Sequence, residues 1–260
     1  MICPMKLCIT FDDGLKSQAE IAVPLLRKYG FKVAFNIPTG FMNPNGRNLT
    51  PGQIHDCRLE GNEDNLMDWE DVRRLLEAGH EVYPHTLDHA DLLELERQEK
   101  FDELTRQVVE SKKQYIEHCG GAPSFFCSPH NSSSPFIKKI VHENGMELVS
   151  CWRRNFPTHP SRDPPCLSIT EHLRQEYYNG TSVLDVMIHG IDANRGGWEP
   201  FADSGAFEAF LQEIHRSVLS GMVNVVPYSR AHRSWSALSL PCNVFNKIRK
   251  RVRRILLNLM

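Results

Sequence analysis

Charge of one sign, long apolar runs and paired cysteines are what this sequence lacks. Its 30 lysines and arginines stand against 32 aspartates and glutamates, a formal net charge of −2, so no basic excess marks a nucleic-acid surface. No stretch is apolar for long enough to span a bilayer. The opening MICPMKLCITFDDG has no charged region followed by an apolar segment of secretory length. Eight cysteines are present, at 3, 8, 57, 119, 127, 151, 166 and 242, yet none forms a C-x-x-C pair, which excludes a zinc knuckle and a thioredoxin-like redox motif. Without a secretory signal the thiols are expected to be reduced, and mostly core residues of a cytoplasmic protein. What is present is apolar content: 41% of 260 residues is enough to bury a core, and a charged fraction of 24% argues against disorder.

Short apolar runs alternate with longer amphipathic stretches. Strands are predicted at Lys6–Thr10, Lys32–Asn36, His80–Tyr83, Ser124–Cys127, Glu147–Cys151, Val183–Ile188 and Met222–Val226. Between them the spacing predicts helices over Ser17–Tyr29, from Asp68 to Gly79, over Glu96–His118, Pro135–Asn144 and Ala206–Ser220. Pro24 is expected to kink the first helix or to move its start. Repeated strand–helix units argue an α/β fold with a parallel sheet, and their number favours a barrel over an open sheet. Three long loops, 39–67, 153–165 and 190–205, break the rhythm, and loops of that length are often functional. Residues 1–242 read as one domain with elaborated loops, followed by the segment 243–260.

Three constellations carry chemistry. Thr10-Phe11-Asp12-Asp13-Gly14 closes the first predicted strand. Two adjacent carboxylates repel unless one is paired, and a metal on one leaves the other available as a base. The bland alternative is a turn with an aspartate capping the next helix. His85-Thr86-Leu87-Asp88-His89 again follows a strand. Imidazoles four residues apart lie on one face of a helical turn, and two histidines plus a carboxylate make a common catalytic metal set. Chance surface histidines are the alternative, weakened by the Asp-Asp motif at an equivalent place. Thr86 could brace this turn through its hydroxyl. Ile188-His189-Gly190 ends a third strand. His189 suits proton donation to a leaving group, or is a satisfied core histidine.

Taken together, TFDDG, the GHEV-x-x-HTxxH stretch at Gly79–His89 and the later hydrophobic-His element resemble the polysaccharide deacetylase, or NodB-homology, family of carbohydrate esterases, over roughly Lys6 to Tyr228. The resemblance implies a distorted β/α barrel of seven or eight strands. It implies Asp13, His85 and His89 as ligands of one divalent metal, zinc being the simplest choice and cobalt, nickel or manganese the alternatives. It implies Asp12 as catalytic base, His189 as catalytic acid and an N-acylated carbohydrate as substrate. The family's third motif is altered in Phe126-Cys127-Ser128-Pro129-His130-Asn131. Cys127 stands where an arginine would pair with the base, so Asp12 is tuned differently, or Arg153 or Arg154 stands in, or activity is weak. His130 stands where a tyrosine lends its backbone N–H to the oxyanion, which any residue can do. Ser150-Cys151-Trp152 only faintly echoes the fourth motif. Trp152, Trp198, Phe41 and Phe156 are the candidates to stack on a sugar ring, with ordinary packing as the alternative.

In 243–260 apolar and basic residues alternate at helical spacing. This cationic amphipathic helix either makes peripheral contact with an anionic membrane or packs as a last barrel helix. The expected function is N-deacetylation of a sugar in O-antigen or capsule assembly. Rival expectations are a deformylase or cyclic-amide hydrolase of the same family, a degenerate member that binds a glycan without turnover, and a basic-tailed binding module that leaves the Asp-Asp and His-His motifs unexplained.

Overall fold

The computed structural model describes residues 3–46, 49–56, 59, 63–149, 169–192, 195, 201 and 203–232. The chain opens with β1 (Met5–Phe11), a π-helical turn (Gln18–Ala22) and α1 (Val23–Lys28), then β2 (Ala34–Ile37). Pro24 lies in the first turn of α1, where its missing N–H costs nothing; the expected helix therefore starts again at Val23. α2 (Pro51–Asp56) and α3 (Trp69–Glu77) lead to β3 (Glu81–Pro84). Asp68 caps α3 by accepting from the N–H groups of Glu70 and Asp71, both at 2.9 Å. Next come α4 (Leu92–Arg97), α5 (Phe101–Cys119), β4 (Phe125–Cys127), α6 (Pro135–Glu143) and β5 (Glu147–Val149). The described chain closes with α7 (Ile169–Tyr178), β6 (Val183–Ile188), α8 (Ser204–Leu219), β7 (Val223–Val225) and α9 (Tyr228–His232).

Two helical expectations are corrected. The single helix over Glu96–His118 is two helices, broken where Glu99 takes a φ of +57°. Asp91 caps α4 earlier than expected, accepting from Leu93 and Glu94. The bend lets Leu92 of α4 and Leu104 and Val108 of α5 reach one cluster with Phe126 and Ile137, which a straight helix could not. The expected loop at 39–67 contains α2. Its signal was present as a capping box: Gln53 N–H donates to Thr50 Oγ1 and Thr50 N–H to Gln53 Oε1, with proline at the next position.

All seven strands among the described residues pair in parallel. β1 is central: β6 lines one edge along Lys6–Phe11, while β7 and β2 share the other, at Met5–Leu7 and Thr10–Phe11. β3 continues beyond β2, and β4 and β5 form a separate pair. This is the expected α/β barrel-like architecture, in distorted form. Period-two alternation sorts its faces. Leu7, Ile9 and Phe11 of β1 pack outward with Leu26, Val72, Phe207 and Leu211 of the helices. Cys8 points inward with Ala34, Tyr83, Phe125, Cys127 and Tyr228. Each fully buried large apolar side chain contributes roughly 1.5–3 kcal/mol. Low in the barrel, His232 Nε2–H donates to Asp185 Oδ1 at 2.8 Å, and the Cys8 thiol lies beside the same carboxylate. Burial, then the Asp185 charge, push that thiol far above its ordinary range, so it stays protonated. No helix among the described residues is long and apolar enough to cross a membrane. The loop 153–165, half of 190–205 and the segment 243–260 lie outside the described residues.

His80, at the foot of β3, gives the fold a pH dependence. It is buried, its Nδ1 accepts from Val33 N–H at 3.3 Å, and its ring stands edge-on to Phe35. Burial, with the Lys32 charge second, lowers its pKa from 6.5 to about 4. The unfolded chain therefore binds a proton in this window that the folded chain refuses. The stability tied to neutral His80 is complete above pH 6.5 and is lost as the pH falls towards 4, by up to about 1.4 kcal/mol per pH unit. In chelator-treated protein the urea midpoint of wild type should fall more steeply with acidification than that of His80→Leu. Parallel curves would contradict this assignment.

Candidate active site

Strand register brings the site together. On the inward face Cys8 lies opposite Asp185, and Thr10 opposite Met187 and Ala34. One step further along the same face, Asp12 emerges between His189 and Asn36. The Asp12 N–H donates to Ile188 O at 2.9 Å, and Asn36 Nδ2 donates to Asp12 Oδ1 at 2.6 Å. On β3, Tyr83 lies opposite Asn36, so His85 follows at the same mouth. Cys127 ends β4 there too. The site thus occupies the C-terminal end of the parallel strands, where barrel enzymes carry theirs.

Asp13, His85 and His89 converge. All three are buried. Asp13 Oδ1 lies 3.1 Å from His89 Nε2 and 3.6 Å from His85 Nε2, and the two rings are 5.2 Å apart. The stretch His85–His89 is a turn and not the expected helical one: Thr86 and His89 have φ of +64° and +61°. Its conformation is held from outside. Thr86 Oγ1 accepts from Ala90 N–H at 3.1 Å, the bracing role expected of it. Gln107 of α5 accepts from Leu87 and Asp88 N–H, Gln53 of α2 donates to Asp88 O, and Gly40 N–H donates to Leu87 O at 2.7 Å. Five of the six described non-glycine residues with positive φ lie here: Asp13, Thr86, His89, His130 and Asn131. Each costs on the order of 1–3 kcal/mol, and such strain gathers at functional sites.

The donor set fits a divalent cation. His85 Nδ1 lies 3.1 Å from the Cys127 carbonyl. A carbonyl only accepts, so Nδ1 carries the proton and Nε2 turns its lone pair towards Asp13. Asp13 Oδ1 is itself buried and makes no hydrogen bond among the described residues. A lone pair on nitrogen facing one on a carboxylate oxygen is repulsive unless a cation lies between them, and this outer carbonyl is the usual way a metal-binding imidazole is oriented. Burial pushes the Asp13 carboxyl up, but the adjacent His89 and His189 imidazoles outweigh it and hold Asp13 well below the usual carboxylate range.

His189 is half-buried at the end of β6, close enough for its charge to act on Asp13, and its carbonyl accepts from Gln18 Nε2 at 2.7 Å. His130 has a φ of +54°, and its ring stands 5.2 Å from that of His89. Cys127 is buried within the Asp12–His85 neighbourhood. Phe41 is corrected: it is 3% exposed and belongs to the core, not to a sugar-facing wall. Trp152, Trp198, Arg153, Arg154 and Phe156 lie outside the described residues. The sequence reading missed Asn36, Gln18, Gln53 and Gln107. The one available signal was Asn36, a polar residue inside an otherwise apolar strand.

Gly40 tests the support of the turn. A Cβ there would meet the Leu87 carbonyl oxygen at 2.7 Å, a backbone atom that cannot swing aside. Gly40→Ala should shift the His85–His89 turn and weaken metal affinity by about 10-fold, the scale of outer-shell changes, in a chelator competition. Unaltered affinity would show that the turn is held without this contact.

The family model described as Polysaccharide deacetylase matches residues 4–149. No curated protein matches the sequence. Among solved structures the chain is similar to the chitin deacetylase from the fungal pathogen Colletotrichum lindemuthianum, at 16% identity over 88% of each chain with a TM-score of 0.58. It is also similar to peptidoglycan deacetylase PdaC from Bacillus subtilis, at 16% identity over 96% of each chain with a TM-score of 0.54. The family 4 carbohydrate esterase from Streptomyces lividans, in complex with acetate, matches at 14% identity over 86% of this chain and 92% of that one, with a TM-score of 0.55. At these identities the likeness is one of fold.

Proposed function

Because the chain belongs to the polysaccharide deacetylase family, we propose that it is a metal-dependent hydrolase that removes the acetyl group from an N-acetylated sugar during assembly of an O-antigen or capsule type of glycan. The observation that carries this reading is the buried Asp13–His85–His89 cluster with Asp12 beside it at the barrel mouth. Asp13, His85 and His89 would hold the ion, zinc by the simplest choice, with cobalt, nickel or manganese as alternatives. When bound, the ion supplies a Lewis acid and makes water nucleophilic near neutral pH.

The chain's own residues divide the remaining work. Asp12, anchored through backbone and side chain, takes a proton from the attacking water as general base. His130, at the strained corner after β4, offers its backbone N–H to the oxyanion; preorganised donors of this kind are worth ~3 kcal/mol each. His189, just past β6 and next to Asp12 by strand register, protonates the departing nitrogen, without which an amide C–N bond does not break. Water's oxygen ends on acetate, the amine of the free amino sugar carries the proton given by His189, and Asp12 releases the proton it took to solvent as His189 is reprotonated. Trp152 and Trp198 are the side chains assigned to sugar stacking, and 243–260 is the segment assigned to peripheral membrane contact in the cytoplasm.

The relatives' names, a chitin deacetylase and a peptidoglycan deacetylase, define the controls. The purified full chain, loaded with zinc or cobalt, is offered N-acetylated sugars as free, nucleotide-linked and lipid-linked forms, with chitin and peptidoglycan fragments alongside. Acetate from a carrier-linked sugar is the expected result. Acetate from the polymers alone would refute the assembly role. Formate from a formylated sugar, or a ring-opened acid from a cyclic amide, would move the protein to a deformylase or cyclic-amide hydrolase.

A further inference from the structure

We infer that Asn36 is a positioning residue for Asp12, its carboxamide fixing the carboxylate in the orientation in which it accepts a proton. The inference rests on the deacetylase reading. Asn36 is 1% exposed and Asp12 4%, and Asn36 Nδ2 lies 2.6 Å from Asp12 Oδ1. An ionised carboxylate only accepts, so the NH2 end must face Asp12 and the carbonyl end must face away. That Oδ1 is buried and has no hydrogen-bond partner among the described residues. A half-satisfied buried amide costs roughly 1–3 kcal/mol.

The strand around it makes this cost conspicuous. Ala34, Phe35 and Ile37 are all buried and apolar, so an apolar residue at 36 would suit β2 better on packing alone. What the amide provides is a third anchor on Asp12. The Asp12 N–H is already tied to Ile188 O at 2.9 Å, and its carbonyl accepts from Gln18 Nε2 at 2.5 Å. Those two bonds fix the backbone and leave the carboxylate free to rotate. The Asn36 bond stops that rotation. Asn36 is itself held in the β2–β3 ladder opposite Tyr83, so the donor does not move with its acceptor. The neighbouring side of the carboxylate is occupied by His85 and Cys127, within 4.8 Å. A rotated carboxylate would therefore aim its free oxygen at the ligand cluster instead of at the attacking water.

The test is a double-mutant cycle between Asn36→Leu and Asp12→Ala, read as kcat, KM and bound metal on the acetylated-sugar substrate. Asn36→Val, a shape that strands favour, repeats the measurement should the leucine variant fold poorly. The expected result is a fall in kcat of about 100-fold for the single Asn36 variant, the scale of an ångström-sized misplacement. KM and metal content should hold, and in the Asp12→Ala background the same change should cost less than about threefold, because coupled residues are not additive. An equal loss in both backgrounds would mark Asn36 as merely structural and overturn the inference, as would wild-type kcat in the single variant. A wild type that binds metal but releases no acyl group from any substrate would sink the deacetylase reading and this inference with it.

Discussion

Asp12→Asn is expected to lower kcat by about 10²–10⁴-fold, the usual contribution of a positioned general base, while bound metal stays at its wild-type level. The substitution is isosteric, so size and packing at a position 4% exposed are preserved. The carboxamide oxygen can still accept from Asn36, as the Asp12 oxygen does at 2.6 Å. What disappears is the capacity to take a proton. Because Asp13, and not Asp12, faces the Nε2 atoms of His85 and His89, the two adjacent aspartates should separate experimentally into one variant that keeps metal and one that does not. Metal lost from Asp12→Asn would show instead that the carboxylates share the ion.

Asp13→Ala is the complementary change, and it should leave the purified chain with almost no bound metal and no measurable turnover. Asp13 supplies the sole anion of the triad. Without it, two imidazoles must hold a dication unaided, and their geometry was set by a turn whose strained residues, Thr86 and His89 at φ of +64° and +61°, gain nothing in return. Removing an outer-shell partner costs 10–100-fold in metal affinity, and removing a ligand costs more. Mass-spectrometric metal content and acetate release, measured on one preparation, check both halves. Metal retained in Asp13→Ala would require a different ligand set, and Asp12, His85 and Cys127, which also lie within 4.8 Å of one another, would be the first to examine.

Much of this arrangement was legible before any coordinates. Strand and helix segments alternate regularly enough to predict a parallel α/β fold, and motifs placed just after strands point to one end of a barrel. Asp13, His85 and His89 do converge. The legible part is local chemistry carried on strands, whose register then does the assembling. The helix break at Glu99 was hidden because the helical spacing of Glu96–His118 is correct on either side of it, and only the tertiary demand that Leu92 and Leu104 share a cluster reveals the bend. The turn at His85–His89 was misread as helical because i, i+4 spacing suits a helix, whereas contacts from Gly40, Gln53 and Gln107 impose another shape. Asn36 was passed over because its role depends on register between β1 and β2, which no single strand displays. Phe41 was misplaced for the converse reason: an aromatic in a Gly- and Pro-rich loop looks exposed, yet the loop folds back and buries it.

The measurement that bears most directly on the central claim is metal content by mass spectrometry on protein purified without added metal, for wild type and His85→Ala, with acetate release from N-acetylated sugars followed on the same samples. About one divalent ion per chain is expected in wild type, lost in His85→Ala together with acetate release. Wild-type protein that holds no metal even after reconstitution, or a His85→Ala variant that turns over at the wild-type rate, would contradict it.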